Sequence, residues 1–196
     1  AEDHLGRPVI AALPLVRPDT SDLRIFDLEL RQAAQNIIRS YHERGLRTLL
    51  VTSAFPGEGR SHVAGALAQV MNEQKFRVLL ITFAENNSGQ GGEADSAGAV
   101  VRHVQAAGSE VLDIPEATDR PHLHRLRVNS SEGTALDFAE RLTEVAKSMR
   151  DRFDLVVIDG PALTAFPEMR VAIAGIDGTI LVIEAERTVA VAAVRA

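Results

Sequence analysis

The chain has 196 residues, 45% apolar and 24% charged, a size and composition suited to one folded domain and giving no reason to expect two domains or a long disordered stretch. With 27 acidic against 21 basic side chains and a net charge of -6, a generally phosphate-coated partner is disfavoured, and no nucleic-acid binding is expected. The absence of cysteine removes disulfides, cysteine-ligated zinc and thiol nucleophiles together, and it suits a reducing compartment.

The start, Ala1-Glu2-Asp3-His4, lacks the order of charges and apolar residues of a signal peptide, and no apolar run approaches the ~20 residues that span a bilayer. A first residue other than methionine, and an end inside the helix-like run Val189 to Val194, suggest a piece of a longer chain whose membrane spans lie elsewhere. Pro8, Pro14 and Pro18 around Val9 to Leu13 predict an extended lead-in over residues 1–22. Residues 23–196 then form a single α/β domain. It begins with an amphipathic helix over 23–44, in which Leu30, Ala33, Ala34, Ile37, Ile38 and Tyr41 recur at spacings of three and four.

Four short apolar runs follow, Thr48 to Thr52, Val78 to Ile81, Leu155 to Ile158 and Thr179 to Ile183, and they read as strands buried on both faces of a parallel sheet. Helical stripes separate them: Val63, Leu67, Val70 and Met71, and later Phe138, Leu142, Val145 and Met149, the second preceded by Thr134 and Asp137 in a capping-box-like arrangement. In the less regular middle, Asn86 to Gly92 reads as a loop, Val100 to Val104 as a short helix and His124 to Val128 as a further strand. Alternation of strand and helix predicts a doubly wound, mostly parallel sheet flanked by helices, as in P-loop nucleotide-binding folds.

Between the first strand and its helix lies Thr52-Ser53-Ala54-Phe55-Pro56-Gly57-Glu58-Gly59-Arg60-Ser61-His62, where a phosphate loop belongs. Glycines there let backbone N–H groups turn around phosphate oxygens, a lysine reaches the terminal phosphates and a hydroxyl binds magnesium. Gly57, Gly59 and Ser61 suit these roles, but Arg60 stands in the lysine position and Ala54 in that of the first glycine. Alone, Pro-Gly-Glu-Gly is a plain surface turn. Leu155 to Asp159 supplies the complement, a buried strand ending in a carboxylate able to hold magnesium.

These segments resemble the cytoplasmic domain of the bacterial tyrosine kinases of polysaccharide export, relatives of the Min and Par partition ATPases. The resemblance rests on His4 to Ile10, Leu49 to Ala54, Pro56 to Ser61, Arg77 to Ile81, Phe153 to Pro161 and Ile176 to Ile183, spread over nearly the whole chain. It implies an ATP or ADP site with magnesium formed by Gly57, Gly59, Arg60, Ser61 and Asp159, with Ser61 and Asp159 on the metal. It also implies placement at the cytoplasmic side of the inner membrane, beside a polysaccharide copolymerase segment or partner.

Several positions depart from the family pattern. Its lysine is Arg60, and its second acidic motif, Asp-x-Asp after the second strand, is Thr82 and Ala84, with Glu85 next door. Of its Glu-x-x-Arg-x-x-Arg oligomerisation motif only Arg31 remains, with Ile25 and Leu28 in the other positions, so ring assembly by that route is not expected. The tyrosine-rich tail has no counterpart, and Tyr41, the sole tyrosine, reads as a packing residue. His62 follows the magnesium-ligand position, where the family has a small hydroxyl residue; its ring either crowds the nucleotide or points into solvent. His122 and His124 suggest a metal pair, but two ligands do not make a site, and exposed or loop histidines are the reading adopted.

Phosphoryl transfer depends on positioning and charge neutralisation, and arginine does not replace lysine conservatively at such a site. The expected function is therefore a regulatory or scaffolding pseudokinase domain of an exopolysaccharide or capsule system, with weak or absent ATP binding and hydrolysis. The alternative is an active tyrosine autokinase relying on Arg60 and Asp159. A partition-type ATPase is a third reading, disfavoured because Phe55 stands where those proteins carry a signature lysine.

Overall fold

Strand-forming runs rich in leucine, valine and isoleucine assemble one six-stranded sheet in the computed structural model, which describes residues 9–14, 22–84, 116–129 and 135–185. In chain order the elements are α1 (Asp22–Arg44), β1 (Thr48–Ser53), α2 (Arg60–Glu73), β2 (Val78–Ala84), β3 (Glu116–Ala117), β4 (Leu123–Asn129), α3 (Ala135–Ser148), β5 (Leu155–Asp159), α4 (Met169–Ile173) and β6 (Gly178–Val182). The strand order is β3-β4-β2-β5-β1-β6, parallel except for β3 against β4. The doubly wound, mostly parallel fold expected from the sequence is thus present.

Because strand side chains alternate between faces, each central strand feeds two cores. Leu49, Val51, Leu155 and Val157 face α1 and α2, joining Phe26, Leu30, Leu67 and Met71. Leu50, Val156 and Ile158 face the opposite way, against Phe138, Leu142 and Met169 of α3 and α4. Both sides of the central sheet are covered, which explains runs without polar alternation. The edge strand β6 departs from expectation: its residues are only partly buried, and Thr179 is exposed. One further strand, β3, and the short helix α4 carry no sequence pattern strong enough to announce them.

The lead-in has no regular structure where it is described, although Leu13 packs on the first core. Thr134 of the capping arrangement, the loop at Asn86 to Gly92, the helix at Val100 to Val104 and the run at Val189 to Val194 lie outside the described residues. No helix among the described residues is long and apolar enough to cross a membrane.

Two aspartates hold the amino ends of the central strands. Asp154 accepts from the Arg77 backbone N–H at 2.9 Å and from its guanidinium at 2.8 Å, joining the starts of β5 and β2. The Arg77 hydrogen bond, outweighing burial, keeps the Asp154 carboxyl below its ordinary pKa. Asp177 Oδ2 accepts from the Arg47 N–H at 2.9 Å, the Thr48 N–H at 2.8 Å and the Thr48 hydroxyl at 2.9 Å, and Arg150 donates to Oδ1 at 3.2 Å. Burial alone would raise the Asp177 pKa, but these donors outweigh it and hold the carboxyl low.

A carboxyl whose pKa is lowered on folding stabilises fully above its unfolded value, about 3.9, and loses that contribution as pH falls through the folded value. Asp177→Ala leaves the buried Thr48 groups without their acceptor and is expected to cost about 2–3 kcal/mol at pH 7. Urea unfolding of both proteins should show the difference narrowing below about pH 4.

Candidate functional site

A tight loop joins β1 to α2 at the carboxyl edge of the sheet, the edge where open parallel sheets bind ligands. Gly57 and Gly59 have φ of 84° and 83°, in the left-handed region that glycine enters without strain. A Cβ on Gly59 would meet nothing within 4 Å, so backbone conformation and not space requires glycine there. Gly59 caps α2 without a side-chain bond, and its carbonyl accepts from the Val63 N–H at 3.0 Å. The first-turn N–H groups of Ser61 and His62 therefore sit at the positive end of the helix dipole, the arrangement that favours anions.

The loop is braced from three directions. Glu58, 7% exposed, turns its carboxylate inward to accept from the Phe55 N–H at 2.7 Å and from the Glu184 N–H just beyond β6 at 3.3 Å. The Ser53 hydroxyl donates to the Phe55 carbonyl at 2.7 Å. From the segment after β5, the Leu163 N–H donates to the Ser53 carbonyl at 2.9 Å, and Thr164 donates both its N–H and its hydroxyl to the Ala54 carbonyl. Gly160 permits this approach: a Cβ there would lie 2.6 Å from Leu50 Cδ1.

Asp159 is the last residue of β5, paired alongside Val51 of β1. Arg60, first residue of α2, reaches toward it, with Nε 4.0 Å from Asp159 Oδ1 and side-chain exposures of 17% and 14%. The two halves read from the sequence are therefore one place: Gly57, Gly59, Arg60 and Asp159 come together. Ser61 lies exposed on the first turn of α2. Thr82 follows the Ile81–Ile158 pairing, which brings it level with Asp159, and Ala84 ends the same strand. Glu85 lies outside the described residues.

For the magnesium ion that the resemblance implies, Ser61 and Asp159 offer one hydroxyl and one carboxylate, and that carboxylate faces a guanidinium. Among the described residues no three His, Asp or Glu side chains cluster so as to hold a metal.

The remaining expectations divide. His62 is exposed, the second of its two expected readings, while its ring also lies tilted against Phe26 at 5.1 Å, linking α2 to α1. Tyr41 packs as expected, edge-on to Phe76 at 5.1 Å and beneath the Arg47 guanidinium at 4.0 Å. His122 lies in the turn before β4, as a loop histidine, with its backbone N–H donated to the Asn72 side chain; His124, within β4, is half-buried and not exposed, its ring packing on Phe153 at 5.2 Å. Arg31 pairs within the chain, with Asp27 and with Glu73 at 2.8 Å each, while Ile25 and Leu28 are exposed. The bracing residues Glu58 and Thr164 were not foreseen. Glu58 had one signal, an acid three residues after the start of a glycine turn, but its contact beyond β6 depends on folding.

Comparison with known proteins bears out the resemblance. The chain is 27% identical over 172 residues to the tyrosine-protein kinase YwqD of Bacillus subtilis, covering 82% of this chain and 69% of that protein. It is also 27% identical over 179 residues to the tyrosine-protein kinase CpsD of Streptococcus agalactiae, covering 84% and 77%. The fold matches the kinase domain of the Escherichia coli tyrosine kinase ETK with a TM-score of 0.73 at 16% identity, over 98% of this chain and 85% of that one. The VpsO kinase domain superposes with a TM-score of 0.63 at 20% identity, over 87% of each chain. No protein-family profile matches the chain.

Removing the Glu58 carboxylate should loosen the loop. Glu58→Ala is expected to cost about 2 kcal/mol, seen in a thermal melt as a fall of ~4–8 °C in Tm.

Proposed function

We propose that this chain is a kinase-like domain retained for regulation or assembly, with nucleotide binding weak or absent and phosphoryl transfer lost or severely impaired. The observation that carries the reading is Arg60 in the lysine position, directed at Asp159. Kinase chemistry is almost wholly electrostatic positioning, so a planar, longer cation facing the carboxylate weakens the clamp where charge develops. Thr82 and Ala84 add to this, since the strand beside Asp159 supplies no carboxylate from either position.

The tyrosine-kinase relatives and the motifs supporting the resemblance suggest the setting, an exopolysaccharide or capsule synthesis and export system. There the domain would stand at the inner face of the membrane, held by a membrane-embedded copolymerase segment or partner. Self-association through the family's charged helix motif is not favoured, because Arg31 is engaged within the chain and the other two positions are apolar.

The alternative, an active tyrosine autokinase, draws support from the intact glycine geometry at Gly57 and Gly59 and from the named kinases among the relatives. Incubation of the purified chain with ATP and magnesium separates the two. The expected result is no phosphotyrosine on Tyr41 or on an added tyrosine polymer, and ATP turnover at least ~100-fold below the 1–100 per second typical of kinases. Turnover within that range would establish the active kinase instead.

A further inference from the structure

The charge arrangement around Asp159 differs from what a metal-dependent phosphate site needs. In such a site a lysine and a magnesium ion share the neutralisation of the phosphates, and the carboxylate at the strand end serves the metal. Here the cation facing that carboxylate is part of the protein: Arg60 Nε lies 4.0 Å from Asp159 Oδ1, in a pair largely shielded from water. A divalent ion held by Asp159 would sit a few ångströms from the Arg60 guanidinium, and low local dielectric strengthens the repulsion between two cations. The neighbouring strand offers no second carboxylate from Thr82 or Ala84 to offset it.

We infer that Arg60 takes the electrostatic place of magnesium, so that the loop accepts a diphosphate group without a metal ion. The inference rests on reading Gly57 to Ser61 as a phosphate site. Its ligand class is a metal-free diphosphate, as in ADP or inorganic pyrophosphate. The guanidinium offers several N–H donors in a fixed plane suited to two phosphate oxygens, and the N–H groups at the start of α2 complete the cradle. Asp159 then acts as an internal competitor. Its carboxylate faces Arg60 Nε across 4.0 Å, and phosphate binding requires the guanidinium to turn from one anion to the other. This competition weakens the site without abolishing it, in keeping with poor nucleotide binding.

Calorimetric titration of the purified 196-residue chain with ADP and with inorganic pyrophosphate, each in EDTA and in excess magnesium chloride, tests the inference. Wild type should bind in EDTA at least as tightly as in magnesium. Asp159→Asn should tighten binding in EDTA about tenfold by freeing the guanidinium, and Arg60→Lys should bind about tenfold more tightly with magnesium than without. Circular dichroism melts of the variants establish that each is folded. A wild-type affinity that rises about tenfold or more on adding magnesium overturns the inference. So does weaker metal-free binding by folded Asp159→Asn, or no binding by wild type at millimolar ligand. Magnesium-dependent binding without turnover, or no binding at all, would remove this inference and leave the impaired-kinase reading standing; steady turnover would remove that reading.

Discussion

Parallel pairing of β1 with β5 is the constraint on which the site depends. It places Asp159 beside Val51, two residues before β1 ends. The segment after β5 continues this contact, with bonds from Gly160, Leu163 and Thr164 to the carbonyls of Val51 and Ser53 in β1 and of Ala54 just beyond it. The entry to the loop is thereby tied to the segment following the carboxylate. A register shift of one residue would turn the Asp159 side chain to the other face and part it from Arg60.

Around that pairing the interior is divided into two apolar layers, each fed by alternate residues of the same strands. The polar anchors lie at the strand ends, Asp154 and Asp177 at the amino side, Glu58 and Asp159 at the carboxyl side. Carboxylates at the amino side accept backbone N–H groups and fix the starts of strands. At the opposite edge Glu58 does similar work for the loop, which leaves Asp159 to face the arginine. The bonds from Glu58, Ser53, Leu163 and Thr164 that position the loop involve neither lysine nor arginine at position 60.

The first helix serves the fold on two sides. Its inner face, Phe26, Leu30, Ala34 and Ile37, packs on the core, and Phe26 also receives the His62 ring. On the outer side Arg31 joins Glu73 of α2, an intramolecular tie between the two helices. Arg31 is thus used to hold α1 against its own domain.

Much of the architecture was legible in the amino-acid order. Unbroken runs such as Leu155 to Ile158 signal burial on both faces, and the glycines at 57 and 59 mark a turn that only left-handed backbone can make. Those signals are local: strand burial and backbone conformation leave their trace in neighbouring residues. The strand order, the inward turn of Glu58, the His62–Phe26 contact and the Arg60–Asp159 pair left no such trace, because each joins residues that only folding brings together. The two-residue β3 and five-residue α4 were invisible for the complementary reason that they are too short to carry a period. Sequence alone therefore determined which segments form the sheet and which loop carries glycine; tertiary structure decided what faces the loop, since contact across the sheet edge depends on register and not on spacing along the chain.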